Sequence, residues 1–199
     1  MSDLFEVIHR QRACRAFTDE DVDDDLVARL LDAATFAPSA ENRQPWVFIV
    51  VRDPGLQGRI HDLTARAWEA GGRAMAESRL DAKLLDEVDA GITAGGYRSA
   101  PVLVVLAADT ERCLTVTIAS SLFPATQNLL LAATALGLGC ALTTLTTAFA
   151  EELSSILDLP SHVVPQVVVP LGYPSRRLGP PRREPFAAHT HRDRFGTPW

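Results

Sequence analysis

Residues 37–46 read APSAENRQPW, and how this decapeptide divides its neighbours decides the fold. Before it, Leu26, Val27, Leu30, Leu31 and Ala34 recur at helical spacing behind Asp23, Asp24 and Asp25, whose charges suit a helix N-terminus. That helix must end before Pro38, because proline has no N–H to donate and its ring clashes with the preceding turn. After it, Val47 to Val51 (VFIVV) is an unbroken apolar run closed by Asp53-Pro54-Gly55, the pattern of a strand buried on both faces. The stretch is therefore a helix-to-strand connector, yet it carries Ser39, Asn42 and Gln44 beside Pro45, Trp46 and Phe48. Hydrogen-bonding side chains on a short rigid connector beside apolar rings suit a flat heteroaromatic ligand with a polar edge. The same letters also serve as plain helix-stop grammar.

Outward from this connector the chain mixes helices and strands. Asp3 with Glu6 predicts a capping-box start to a short helix carrying Leu4, Phe5 and Ile8. Residues 56–96 read as an exposed helical lid, broken at Gly71-Gly72 and offering Trp68, Met75 and Tyr97. Residues 101–107 (PVLVVLA), 140–145 and 163–171 (VVPQVVVPL) read as strands, with a helix near 149–157. Between them, 120–136 is a helix apolar nearly all round, which predicts burial on every side, within the chain or against a partner. Without strict βαβ alternation the expected class is α+β, a central mixed sheet flanked by helices in one domain spanning 1–199. The tail, 172–199, carries five prolines after Gly172 and no hydrophobic period, so it cannot form a core. Its Phe186, Phe195 and Trp199 favour extension over a second subunit.

Composition removes several functions. A net charge of −6 argues against nucleic acid, whose phosphates need a basic face. Basic residues gather at the two ends, in HRQRACR (9–15) and in six arginines between 176 and 194 against Glu184 and Asp193. These islands either converge on a small anion or solubilise the surface. Cys14, Cys113 and Cys140 are odd in number and far apart, which fits a reducing cytoplasm, and the N-terminus has no signal-like apolar region. Pro124, Gln127 and Asn128 argue against a membrane span in the long apolar helix. The string His189-Thr-His191-Arg-Asp193 lies in the tail without a further ligand close in sequence, so tail packing is the preferred reading and no metal is expected. Ser39 is not in GxSxG, and Gly137-Leu-Gly139 follows a helix instead of a strand, so it reads as a glycine helix stop.

Five segments, taken in order, resemble the nitroreductase family: RACRAF (12–17), APSAENRQPWVF (37–48), QNLLLAA (127–133), LGLG (136–139), and LGYP (171–174) with PPRR (180–183). The resemblance implies a nitroreductase-like α+β sandwich, an intertwined homodimer with an extended C-terminal tail, and FMN held at the subunit interface. By position it assigns Arg12, Ala13, Arg15, Arg182 and Arg183 to the phosphate, ribityl chain and pyrimidine edge. Pro38, Ser39, Ala40 and Asn42 would come from the partner, Thr143 and Thr144 would lie near the central ring, and Glu41 would either stand close to substrate and repel anions or simply cap the turn. Two places depart from the family pattern, Gln11 where an arginine is common and Ala13 where a serine is. The implied activity is ping-pong hydride transfer from NADH or NADPH through FMN to a flat acceptor, a nitroaromatic or quinone, with no catalytic side chain required. Alternatives are dehalogenation, enone reduction or flavin fragmentation in a relative, a flavin- or deazaflavin-binding protein without turnover, or a structural dimer without flavin.

Overall fold

In the computed structural model, which describes residues 3–199, β1 (Trp46–Val51), β2 (Val102–Asp109), β3 (Gly139–Cys140) and β4 (Val163–Gly172) form one sheet in the order β1-β2-β4-β3. Every ladder between these strands is antiparallel. Among the described residues, parallel pairing is confined to the isolated bridge between Ala13 and Cys140. The expected mixed sheet is thus antiparallel in its strands, because each connection returns the chain in the opposite direction and makes no βαβ crossover. Helices cover both faces, which gives the α+β architecture.

Alternation along β2 and β4 sorts side chains to two cores. Val102, Val104, Leu106, Val167, Val169 and Leu171 meet α2 (Asp24–Thr35) and α6 (Ile118–Ala135) through Leu30, Ala34, Leu129 and Ala133. Leu103, Val105 and Val168 meet α3 (Pro54–Ala67), α5 (Ala82–Ile92) and α7 (Ala150–Ile156) through Ile60, Leu63, Leu85, Leu153 and Ile156. Each fully buried leucine contributes roughly 1.5–3 kcal/mol relative to exposure. β1 is an edge strand with Val50 37% exposed, so the VFIVV run is half-covered and not buried on both faces.

Several boundaries differ from the sequence pattern for identifiable reasons. Asp3 occupies the N-cap of α1 (Leu4–Arg10) without a side-chain cap bond, and Glu6 pairs instead with Arg10 at 3.2 Å. The segment read as an exposed lid begins with a core helix: Asp53 Oδ1 accepts from Leu56 N at 2.8 Å, Pro54 opens α3, and Ile60, Leu63 and Ala67 are buried. The break falls where the glycines stand, in a π-turn over Trp68–Gly72 with Gly71 at φ 148°, followed by α4 (Arg73–Glu77) and α5. Trp68 is itself core, 3% exposed, its indole N–H donating to Asp89 at 2.8 Å.

The strand expected over 140–145 is only Gly139–Cys140. Beyond it the chain leaves the ladder and meets β4 again at the single bridge between Thr143 and Val168. α6 buries Ile118, Leu122, Ala125, Leu129, Leu130 and Ala133, but Phe123 is 42% exposed, so one chain does not cover it on every side. By length and composition Thr115–Ala135 would pass as a membrane span, contrary to the sequence expectation. Its buried face against α2 and the sheet accounts for its apolarity as core. In the tail a short helical turn, Phe186–His189, is followed by a second turn closed by the bridge between His191 and Pro198, and Phe186, Phe195 and Trp199 are exposed.

Candidate functional site

The two arginine islands meet. After α1 the chain runs beside β3: Cys14 N donates to Cys140 O at 2.8 Å, and Thr18 N to Tyr173 O at 2.9 Å. This close passage requires Gly139, since a Cβ there would lie 2.7 Å from the Cys14 sulfur. Gly137, at φ 81°, ends the preceding helix as the glycine pattern predicts. From the other end of the chain the tail folds back, and Arg12 Nη1 donates to Gly179 O at 3.2 Å. The result is an open cavity of about 640 Å³ whose wall includes Arg12, Ala13, Arg15, Arg182 and Arg183. Lys83 joins them, against the acids Asp81 and Glu87.

The electrostatics of this cradle favour an anion. The Nε of Arg15 is buried without a hydrogen-bond partner, an orphaned donor of the kind that costs about 1–3 kcal/mol unless a ligand or water satisfies it. Glu87 supplies the nearest intramolecular anion, 3.9 Å from Arg12 and 3.4 Å from Arg176. An adjoining cavity of about 350 Å³ is lined by residues 12–16, by Glu87, Ala90 and Gly91 of α5, and by Gly96 beyond that helix. Gly96 is needed there, since a Cβ would stand 2.1 Å from the Arg15 carbonyl. Burial pushes the Tyr97 phenol pKa up, partly opposed by the charge and hydrogen bond of Arg15. Burial likewise raises the Cys14 thiol pKa, against its bond to Ala16 O and the nearby arginines, so Cys14 is a protonated packing group in this wall.

Pro38, Ser39, Ala40 and Asn42 do not line the cradle. They belong to a turn that is strained along its backbone: Glu41 has φ 54°, Asn42 φ 54° and Gln44 φ 50°. The left-handed region costs an L-residue roughly 1–2 kcal/mol, so three such residues within four positions persist only because the surroundings over-determine them. The determinants are visible. Ser39 Oγ accepts from Gln44 N at 3.0 Å, Ala40 N donates to Ser121 Oγ at 3.2 Å, and Asp109 N donates to Pro45 O at 2.7 Å. Glu41 is exposed on this turn.

Thr143 is buried, its hydroxyl accepting from Leu145 N at 3.2 Å, and Thr144 is exposed; neither lines the cradle, whereas their neighbour Leu142 does. Lys83, Glu87 and Leu142 were not legible as site residues, since each sits singly in an amphipathic or apolar run. The tail histidines do not gather ligands: His189 pairs with Glu184 at 3.1 Å, and His191 stacks edge-on against Phe195.

The chain thus combines an antiparallel sheet covered on both faces by helices, a cationic cradle between the chain ends and a strained turn before the edge strand. The nitroreductase family model matches residues 8–173, and the chain belongs to that family. A protein of Methanothermobacter thermautotrophicus provisionally named NADH dehydrogenase/NAD(P)H nitroreductase is 30% identical over 181 residues, covering 89% of this chain and 80% of that one. The 5,6-dimethylbenzimidazole synthase of Rhodospirillum rubrum is 30% identical over 173 residues, 82% of this chain and 78% of its own. Among solved structures, a nitroreductase with bound FMN from Desulfitobacterium hafniense superposes with a TM-score of 0.75 at 26% identity, covering 97% of this chain and all of that one.

Proposed function

We propose that this chain is an FMN-dependent NAD(P)H oxidoreductase that works as a homodimer and passes hydride, in two half-reactions, to a flat acceptor such as a nitroaromatic or a quinone. The observation that carries the reading is the convergence of Arg12, Arg15, Arg182 and Arg183 from opposite ends of the chain on one cavity. A phosphate monoester dianion needs several charge-assisted donors when it is withdrawn from water. The orphaned Nε of Arg15 fits that demand, as does the guanidinium of Arg12, which spends Nη1 on Gly179 O at 3.2 Å and has a carboxylate no nearer than Glu87 at 3.9 Å.

Bound FMN would supply the hydride chemistry, taking a hydride from the nicotinamide and giving it to the acceptor. The chain's own work is to bind and orient. Arg12, Arg15, Arg182 and Arg183 neutralise phosphate, and Ala13 offers backbone alongside Cys140. Pro38, Ser39, Ala40 and Asn42 would serve the site of a second copy, which explains a strained, polar-edged turn remote from the cradle of its own chain. Thr143 and Thr144, adjoining Leu142 of the cavity wall, would face the ring system, and Glu41 would set the charge met by the acceptor.

A second copy also accounts for apolar surface that one chain leaves bare. Leu4 and Phe5 on α1, Phe36 after α2 and Phe123 on α6 are 61%, 66%, 80% and 42% exposed, and α1 packs on α6. Together with the tail aromatics they suit an obligate interface, which typically buries above about 2,000 Å². The name of the Rhodospirillum rubrum relative keeps a second reading open, another flavin chemistry on the same scaffold. The test is to purify the protein, record its visible spectrum, identify released cofactor by chromatography, and follow NADH and NADPH oxidation with and without a quinone. A yellow protein releasing FMN and turning over nicotinamide is expected. A colourless preparation that takes up no flavin on reconstitution would contradict the proposal, and flavin without nicotinamide oxidation would favour the second reading.

A further inference from the structure

One cluster of ligand-type side chains lies outside the arginine cradle and takes no part in the proposed reaction. Asp109 ends β2, Glu111 follows in the turn, and His162 immediately precedes β4. A carboxylate oxygen from each acid and a ring nitrogen of His162 all lie within 4.8 Å of one another. We propose that Asp109, Glu111 and His162 form a binding site for one divalent transition-metal ion of the Zn²⁺ type.

The framework behind these three side chains is fixed by backbone bonds. Thr110 donates to the His162 carbonyl twice, from its N–H at 2.8 Å and from its hydroxyl at 2.9 Å, while Asp109 pairs with Val163 across the ladder. Asp109 Oδ1 also accepts from Glu111 N at 2.9 Å, which sets the angle between the two acids. Asp109 and His162 are half-buried and Glu111 is exposed. Zinc bonds of about 2.0–2.2 Å place tetrahedral ligand atoms roughly 3.3 Å apart. The ligand atoms, all within 4.8 Å of one another, therefore have to draw closer to bind an ion, and Glu111, the exposed member, has the most freedom to do so.

Electrostatics and donor type agree. Among the described residues neither Asp109 nor Glu111 pairs with a lysine or arginine, so two carboxylates lie together without a protein cation. A cation between them relieves that repulsion. One imidazole with two carboxylates selects borderline transition metals over Mg²⁺ and Ca²⁺, which take oxygen ligands. Three protein ligands leave a position for water, so the site is open and not a closed structural cage.

The turn that carries the site also braces the strained segment. Asp109 N donates to Pro45 O at 2.7 Å, and Arg43 Nε donates to Arg112 O at 3.1 Å. A bound ion would stiffen residues 109–112 and, through these two bonds, residues 43–45. The proposal stands apart from the flavin reading, because it uses none of the cradle residues.

The test is calorimetric titration of the full-length, tag-free, chelator-treated protein with Zn²⁺ and separately with Mg²⁺. One equivalent of Zn²⁺ is expected, with affinity falling at least ~tenfold in His162→Ala and in Asp109→Asn, each variant first shown by circular dichroism to keep its secondary structure. Asp109→Asn preserves shape and carries the test if His162→Ala does not fold. The pair His189→Ala with His191→Ala should bind as the parent does. Absence of a stoichiometric Zn²⁺ site, Mg²⁺ binding of equal strength, undiminished binding in both site variants, or loss of binding in the tail pair would each overturn the assignment.

Discussion

The arginine cradle and the 37–46 turn carry two halves of one sequence resemblance, yet they are built in opposite ways. The cradle is a long-range construction: Arg12 is bonded to Gly179, and Arg182 and Arg183 arrive from a tail that has no core of its own. The turn is local, closed by Ser39 on Gln44 and stored with left-handed backbone at Glu41, Asn42 and Gln44. One has charge awaiting an anion. The other has conformation held in place by hydrogen bonds to Ser39, Ser121 and Asp109. On the proposed dimer reading this contrast has a reason: the cradle would supply affinity and the turn shape, with a second chain bringing its turn to the first chain's cradle.

The largest expected effect breaks the cradle. Arg12→Ala with Arg183→Ala removes two charge-assisted contacts worth about 1.5–3 kcal/mol each. Flavin binding should weaken by at least ~100-fold, read by equilibrium dialysis, while sedimentation still reports a dimer. Retention of parental affinity would show that the cradle does not hold the phosphate.

The next effect lies outside both regions and separates loss of site from loss of fold. His61 on α3 is 7% exposed with its Nε2 unpartnered, and burial, aided by the charge of Arg98 and opposed by Asp62, lowers its pKa to about 4. The unfolded chain then binds more protons than the folded one between about pH 6.5 and 4, so stability falls as the solution is acidified through that window. The total is on the order of 3 kcal/mol, taking 1.36 kcal/mol per unit. Denaturant midpoints should drop over this range in the parent and less in His61→Gln. Equal slopes in the two proteins would mean that His61 is solvated.

The smallest effect sharpens the turn. Gln44→Gly places a residue that tolerates φ 50° where an L-residue is strained, and should raise stability by up to about 1 kcal/mol in thermal unfolding. Flavin affinity should not rise with it, since a looser turn loses preorganisation. A parallel gain in both would mean that the strain serves no binding purpose.

Elements with strong local grammar were legible from the residues. The helix behind Asp23 to Asp25, the stop before Pro38, the β2 and β4 runs and the glycine stop at Gly137 all stand where hydrophobic period and backbone chemistry put them. Misreadings came where tertiary context overrides the local pattern. β1 looks like a central strand because its letters match β2, but it lies at the sheet edge. Residues 56–67 look like an exposed lid because they are rich in charge, but every third or fourth position faces the second core. In the site, the arginine islands were visible as charge, while their meeting, the unpaired Nε of Arg15 and the contribution of Lys83, Glu87 and Leu142 depend on chain reversal that no local pattern encodes.

The central claim, that each flavin takes its cradle from one chain and its turn from the other, is tested most directly by mixing two defective chains. One carries Arg12→Ala with Arg183→Ala and the other Ser39→Ala with Asn42→Ala, differently tagged and co-expressed so that the mixed dimer can be isolated. Each homodimer should hold little flavin. The mixed dimer should regain one flavin per two chains, because one of its sites joins an intact cradle to an intact turn. A mixed dimer as empty as both homodimers would contradict the account, placing cradle and turn within the same chain's site.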